Sequence, residues 1–271
     1  MLETVKSTEE TDGSWGIAGS TLKLIAIVSM FIDHTGAVIL LTMLKKYQFL
    51  QNLIVWEGFW RIFPWVEDRA ALVAVYSAMR DIGRIAFPIF CFLLVEGFQK
   101  TRSIPKYALR LGLFALISEI PFDLAFNGSL LEFSSQNVYF TLFMGLITMA
   151  AWEFISRKKW ISNMVADNYV KAFLVAVSGM SGAYLAELLH TDYGALGVMS
   201  ILVLYLFRKY KILQAVAGAV SFCWELPAPL AFLPVLCYNG ERGLRMKYVF
   251  YLFYPLHLLF LFGVCRWLGI R

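Results

Sequence analysis

Charge is scarce in this sequence. Only 16% of its 271 residues are Asp, Glu, Lys or Arg, whereas a soluble domain carries roughly a quarter. No hydrophilic stretch is long enough for an independent soluble domain, which excludes a water-solvated core as the bulk of the chain. Histidine is rarer still, with three in all, so each position is informative. The four cysteines (Cys91, Cys223, Cys237 and Cys265) lack CxxC or metal-finger spacing and sit in apolar runs. That pattern gives no metal site and leaves them as small buried hydrophobes. Met1–Ser20 lacks the basic start and cleavage box of a signal peptide. Polar and acidic, it is expected to be a disordered tail before one membrane-embedded domain over 21–271. No internal repeat is visible.

What the sequence does hold is apolar residues, 59% of the total, at a mean hydropathy of +0.66. They fall in blocks at Leu22–Leu44, Ile82–Phe98, Tyr107–Phe126, Val138–Ile155, Tyr169–Leu189, Tyr193–Phe207, Ile212–Trp224, Leu226–Tyr238 and Tyr248–Leu268. A membrane-crossing helix needs about 20 such residues. The blocks therefore predict an all-α, polytopic integral membrane bundle with about nine transmembrane helices. The seventh and eighth blocks are short. They form either two tight helices around Pro227-Ala228-Pro229 or a re-entrant pair.

A net charge of +5 would suit nucleic acid, but the basic residues sit in short clusters between apolar blocks. Lys100, Arg102 and Lys106 form one cluster, and Arg157, Lys158 and Lys159 another. Arg208, Lys209 and Lys211 form a third, and Arg242, Arg245 and Lys247 a fourth. The intervening loops Asn127–Gln136, His190–Asp192 and Glu225–Pro229 hold neither lysine nor arginine. This alternation follows the positive-inside rule. It predicts a bacterial cytoplasmic (inner) membrane protein with a cytoplasmic N-terminus, a lipid bilayer as solvent and no nucleic-acid partner. Residues 45–81 break the pattern, and their Tyr47–Phe63 portion, with its tryptophans, reads as an amphipathic stretch lying in the interface.

Ionisable residues inside apolar blocks cost about 2.5–3.5 kcal/mol each on insertion scales, and each is a functional candidate. Asp33-His34 lies in the middle of the first block. Lys23 and His34 are eleven residues apart, so they share a helix face at a separation of roughly 16 Å. The pair is either a hydrogen-bonding link between helices or a neutral histidine able to take a proton. Arg84 begins the second block near an interface, where it can snorkel. Glu96 closes the same block, where an i,i+4 pair with Lys100 is the plainer reading. The third block has Arg110 in its first turns, then Glu119 and Asp123 at i,i+4 about Pro121. Those two acids read as a proton-sharing pair or an amine site. Asn137, Thr141, Gly145 and Thr148 form a stripe of the kind that glues membrane helices together, with Asn137 as a functional exception. Asp192 is placed to cap the next helix. Tyr254 and His257 share a face of the last block.

Several of these segments also form a recognisable series. Ile32-Asp33-His34-Thr35-Gly36, Gly83-Arg84-Ile85-Ala86-Phe87-Pro88-Ile89-Phe90, Val95-Glu96-Gly97-Phe98 and Ser118-Glu119-Ile120-Pro121-Phe122-Asp123 come first. Asn137-Val138-Tyr139-Phe140-Thr141, Asp192-Tyr193-Gly194 and Tyr254-Pro255-Leu256-His257 follow. Together, over about Thr21 to Leu261, they resemble the TraX family. The family's namesake acetylates the N-terminus of conjugative pilin. The family is similar to the wider membrane-bound acyltransferases, which move acyl groups from a cytoplasmic coenzyme A thioester to a lipid, sugar or peptide. That group has an arginine ten intervening residues before a catalytic histidine. Lys23 stands at that interval from His34, and a lysine holds phosphate as a point charge rather than bidentately.

The resemblance implies acetyl-CoA as acyl donor and a peptide, pilin-like or envelope acceptor, with transfer to an amine or hydroxyl. His34 would act as general base with Asp33 assisting it. Lys23, Arg84 and Arg110 would receive the coenzyme. Glu96, Glu119, Asp123, Asn137 and His257 would surround the acceptor. The alternative is a small proton-coupled transporter using intramembrane acids and histidines, although transporters commonly show paired halves.

Overall fold

The computed structural model describes residues 16–50, 69–244 and 247–271. Residues 1–15 of the expected disordered tail, and the interfacial stretch beyond Leu50, lie outside the described residues. The chain is 77% helical, and no strand occurs among the described residues. Every predicted apolar block is helical, so the fold is an all-α bundle.

The first block forms a continuous shaft over Gly19–Lys46, 28 residues long. It consists of α1 (Gly19–Thr35), a π-helical turn at Gly36–Leu40, and the start of α2 (Leu41–Leu50). The expected tail is too long by a few residues. Gly19 and Ser20 are already helical, and the N–H groups of Ile17 and Gly19 donate to Cys237 O and Glu241 O, both at 2.8 Å. A helix absent from the sequence reading, α3 (Arg69–Gly83), follows the undescribed segment. It has one apolar face rather than an apolar run, so hydropathy blocks pass over it.

After a two-residue break comes α4 (Ala86–Lys100), then α5 (Ile104–Phe126), whose first turn is set by the Ser103 cap and Pro105. Asn137 caps α6 (Val138–Arg157), its side chain accepting from Tyr139 N. Asn163 caps α7 (Met164–Leu188) in the same way. The remaining helices are α8 (Gly194–Leu206), α9 (Lys211–Ser221), α10 (Phe232–Leu236, after a 3-10 turn at Ala228–Ala231) and α11 (Lys247–Trp267). Among the described residues, four helical stretches are long and apolar enough to cross a membrane: Gly19–Lys46, Val138–Arg157, Met164–Leu188 and Tyr248–Trp267.

Large apolar side chains cover the outside of the bundle, among them Leu116, Phe173, Met180, Val220 and Phe260, each more than 60% exposed. A soluble protein does not present so much apolar surface to water; hydrocarbon is the solvent that suits it.

The expected packing stripe on α6 works through close approach. A side chain at Gly182 of α7 would collide with Thr148, and one at Gly145 would collide with Ile201 of α8. The bundle has two distinct ends. At one lie the start of α1, the loop at 237–242 and the basic loops, tied by Lys100 Nζ to Gly240 O at 2.8 Å. At the other, Gln136 N donates to His190 O at 2.8 Å. There Arg271 also donates to the carbonyls of Ala125 and Phe126 at the end of α5.

The short seventh and eighth blocks take the re-entrant form. The chain leaves the basic-loop end through α9, turns at Phe222–Pro229, and returns to that end at Tyr238, where Ile17 pairs with it. The tip of this hairpin carries Glu225.

Candidate active site

α1 and α11 cross where each carries a histidine. Nδ1 of His34 and Nε2 of His257 are 2.7 Å apart. The rings are parallel to within 4° with centres 5.0 Å apart, so the two nitrogens lie between the ring centres in an in-line hydrogen bond. The other nitrogen of His257, Nδ1, lies 2.8 Å from Phe253 O. A carbonyl only accepts, so Nδ1 of His257 carries a proton and donates it. For a neutral ring, Nε2 of His257 must then accept, and Nδ1–H of His34 donates to it. Nε2 of His34 is left with a free lone pair.

Aromatic rings enclose the pair. Phe126 and Tyr254 stand edge-on to His34, at 5.4 and 5.9 Å between ring centres. Phe253 lies flat against His257 at 4.7 Å.

Asp33 Oδ2 is 3.9 Å from the free nitrogen of His34 and accepts from Arg80 Nη1 at 2.7 Å. Its other oxygen, Oδ1, is buried and without a partner among the described residues. Gly83, the last residue of α3, packs directly on this carboxylate: a Cβ there would fall 2.2 Å from Asp33 Cβ. Asp33 therefore does not set the histidine tautomer, because His257 does. At 3.9 Å it can offset positive charge that develops at Nε2.

Beside this group opens a cleft of about 410 Å³, lined by Arg84, Asp192, Tyr193, Trp224 and Glu225 among others. Arg84 Nη1 pairs with Glu225 Oε1 at 2.7 Å, and Glu225 Oε2 is buried without a partner among the described residues. Tyr193 stacks face to face on Phe87 at 3.6 Å, which fixes the loop between α7 and α8. Asp192 opens onto the cleft but is closely ringed by protein. Poor hydration, reinforced by the charges of Glu225 and Asp33 and opposed by Arg80 and Arg84, pushes its carboxyl up to about 7. Asp33, Asp192 and Glu225 face the two guanidiniums of Arg80 and Arg84, and Glu187 also lines the cleft, so full ionisation leaves negative charge in excess.

The structure brings together some of the residues singled out in the sequence and separates others. His34, Asp33 and His257 meet. Arg84 stands at the cleft and is engaged by Glu225, whereas Lys23 and Arg110 lie toward the basic-loop end. Lys23 Nζ is 5.1 Å from the Phe250 ring centre, and Arg110 lies 5.8 Å from that of Tyr107. The three cations do not form one group.

Glu96 is also at the basic-loop end, paired with Lys100 at 2.7 Å. Glu119 and Asp123 do not pair with each other. Glu119 accepts from the Asn137 side-chain amide in a short hydrogen bond, while Asp123 accepts from Asn127 Nδ2 at 3.3 Å and Glu132 N at 2.8 Å. Asn137, fully buried, also donates to Ala115 O at 2.8 Å. These three tie α5, its following loop and α6 together. Asp192 does not cap α8: Tyr193 holds the N-cap position without a side-chain cap bond, and Glu187 from α7 accepts from Ala195 N at 3.0 Å.

Sequence reasoning passed over Arg80 and Glu225 because each sits at the edge of an apolar block, where a charge is unremarkable. Their unsatisfied or cross-helix pairing appears only when α3 and the hairpin are folded against α1.

The chain is 27% identical over 267 residues to a protein of Dichelobacter nodosus described as "Probable fimbrial assembly protein FimC, serogroup H1", covering 88% of this chain and 91% of that one. No solved structure matches. The family model described as TraX protein matches residues 18–265, which include every residue of the histidine pair and the cleft. The chain belongs to the TraX family.

Proposed function

We propose that this protein is an integral-membrane acyltransferase of the bacterial inner membrane, moving an acetyl group from acetyl-CoA to the amine of a pilin-like peptide. The observation that carries this reading is the free Nε2 of His34, held in a defined tautomer by His257 and facing Asp33 at 3.9 Å. Such a nitrogen is a general base. It removes a proton from the attacking amine as the new N–C bond forms and the C–S bond of the thioester breaks, and the proton passes to the departing thiolate. General-base assistance is worth on the order of 10²–10⁴-fold. Asp33 then faces a transient imidazolium, and Arg80 holds Asp33 in place.

The cleft supports an amine acceptor over a hydroxyl. Three carboxylates (Glu187, Asp192 and Glu225) line it against one guanidinium (Arg84), with Asp33 Oδ1 and Glu225 Oε2 the buried oxygens left without a partner among the described residues; an amine can therefore enter as its ammonium, giving one proton to water in the cleft before it attacks. The fimbrial-assembly description of the relative supports a pilin-like acceptor. For the donor, Lys23 and Arg110 remain the candidate phosphate partners of those named from sequence, since Arg84 is committed to Glu225.

The test uses the purified full-length protein in nanodiscs with radiolabelled acetyl-CoA and synthetic peptides with free or blocked N-termini. Label is expected on the free-amine peptide alone and absent with His34→Ala, provided that variant keeps the parent melting temperature. No transfer by the parent protein, or undiminished transfer by folded His34→Ala, overturns the reading.

A further inference from the structure

A second cleft lies at the basic-loop end, away from the histidine pair. Its volume is about 680 Å³, within the range of small-molecule sites. Its walls come from the end of α4, the start of α5, the end of α6 and the end of α8. Three arginines line it, Arg102, Arg157 and Arg208, against one carboxylate, Glu153.

The arginines are not equivalent. Arg208 is held rigidly, with its guanidinium 3.8 Å from the Tyr205 ring centre, Nη1 donating to Tyr205 O at 2.7 Å, and Nη2 3.6 Å from Glu153. Arg157 pairs with Glu153 at 2.7 Å. Arg102 is exposed and forms no ion pair among the described residues. The Tyr205 hydroxyl takes up Glu153 further in a short hydrogen bond. One carboxylate thus serves two guanidiniums, and the lining keeps a surplus of two positive charges. Thr101, Ser103 and Gln99 add polar groups, while Phe98, Ile104 and Phe154 form an apolar wall. Clustered guanidiniums with unused donors suit phosphate oxygens, which they bind bidentately.

We propose that this cleft binds a phosphate-bearing anion with an adjoining apolar or planar portion. Two sources share that chemistry, the nucleotide end of coenzyme A and an anionic phospholipid headgroup. Assignment to coenzyme A rests on the acyl-transfer reading above; assignment to phosphate does not.

Binding is measured on the full-length protein, with adenosine 3′,5′-bisphosphate by equilibrium dialysis in neutral detergent and with phosphatidylglycerol by native mass spectrometry. The parent protein is compared with Arg102→Gln, Arg208→Gln and, as control on a neighbouring basic residue outside the cleft, Lys159→Gln. At least one ligand is expected to bind the parent, more weakly as salt rises. Each arginine variant is expected to lose about tenfold or more in affinity, as removal of one charged hydrogen-bonding group does, and the control little.

Preference for the bisphosphate assigns the cleft to the donor, and preference for the lipid assigns it to a headgroup. Failure of the parent to bind either ligand, or equal losses in Lys159→Gln and the arginine variants, overturns the proposal. Because binding is read without acetyl transfer, a protein that binds but never transfers removes the acyltransferase reading and leaves the phosphate site standing. Arg102→Gln is exposed and unpaired, so it tests the site even if Arg208→Gln fails to fold.

Discussion

At the scale of single residues, the informative contact is a hydrogen bond between two histidines that are 223 positions apart in the chain. His257 acts through His34: it accepts from Nδ1–H and thereby leaves the other nitrogen free. A side chain that still offers an acceptor there preserves part of this role. His257→Gln is therefore expected to keep more of kcat than His257→Leu, which should lose roughly ten- to a hundredfold, less than removal of the base itself. The KM for acetyl-CoA should change little in either. Equal kcat losses in the two variants, measured by initial rates of label transfer, would show that the acceptor at position 257 is irrelevant.

The sequence marked both histidines as costly residents of apolar helices, and the cost argument needs no structure. It did not reveal their contact, because sequence spacing relates residues along one helix and says nothing about which helices cross. Glu119, Asp123 and Asn137 were marked by the same argument, and their partners turn out to be structural: Glu119 and Asn137 bind each other, Asn137 also binds Ala115 O and Tyr139 N, and Asp123 holds the loop after α5 through Asn127 and Glu132.

Between elements, glycine decides how closely helices meet, and the consequences differ with what stands opposite. A methyl group at Gly83 would meet the Cβ and carboxylate of Asp33 at 2.2–2.4 Å, close to the backbone of α1. A methyl at Gly145 would first meet the Cδ1 tip of Ile201 at 2.5 Å, which can rotate away. Gly83→Ala should cost about 1–3 kcal/mol, as overpacking does, and should lower activity by moving Asp33. Gly145→Ala should cost less and leave activity near that of the parent. Thermal unfolding in detergent together with transfer rates checks both, and the reverse ranking would contradict this account of the α1–α3 contact.

Apolar blocks gave the helices that touch lipid, since hydrocarbon demands continuous apolarity. They missed α3, whose outward and inward faces differ, and they could not separate a crossing pair from the α9–α10 hairpin because both need apolar residues. The π-turn at Gly36–Leu40 has no sequence signature of its own beyond a glycine.

For the whole molecule, the basic loops gather at one end and the histidine pair with its acidic cleft lies toward the other. The positive-inside rule predicts a cytoplasmic location for the basic end. Single cysteines at Lys159 and Ser134, both exposed, report on this once Cys223 and Cys237 are replaced by serine. In intact cells, a membrane-impermeant maleimide is expected to label position 134 and spare 159 until the membrane is opened. The opposite pattern would reverse the orientation, and the acidic cleft would then open to the cytoplasm.

The hairpin from Lys211 to Tyr238 has a further meaning in this topology. Each full crossing exchanges the side on which the next segment starts, so the side reached by α11 depends only on whether the number of crossings before it is odd or even. A segment that starts and finishes at the same end contributes nothing to that parity. Glu225 is thereby carried deep into the bundle on a loop of chain that is topologically silent. Lengthening, shortening or exchanging this hairpin between relatives can reshape the cleft while α11, and His257 with it, keeps its direction through the membrane.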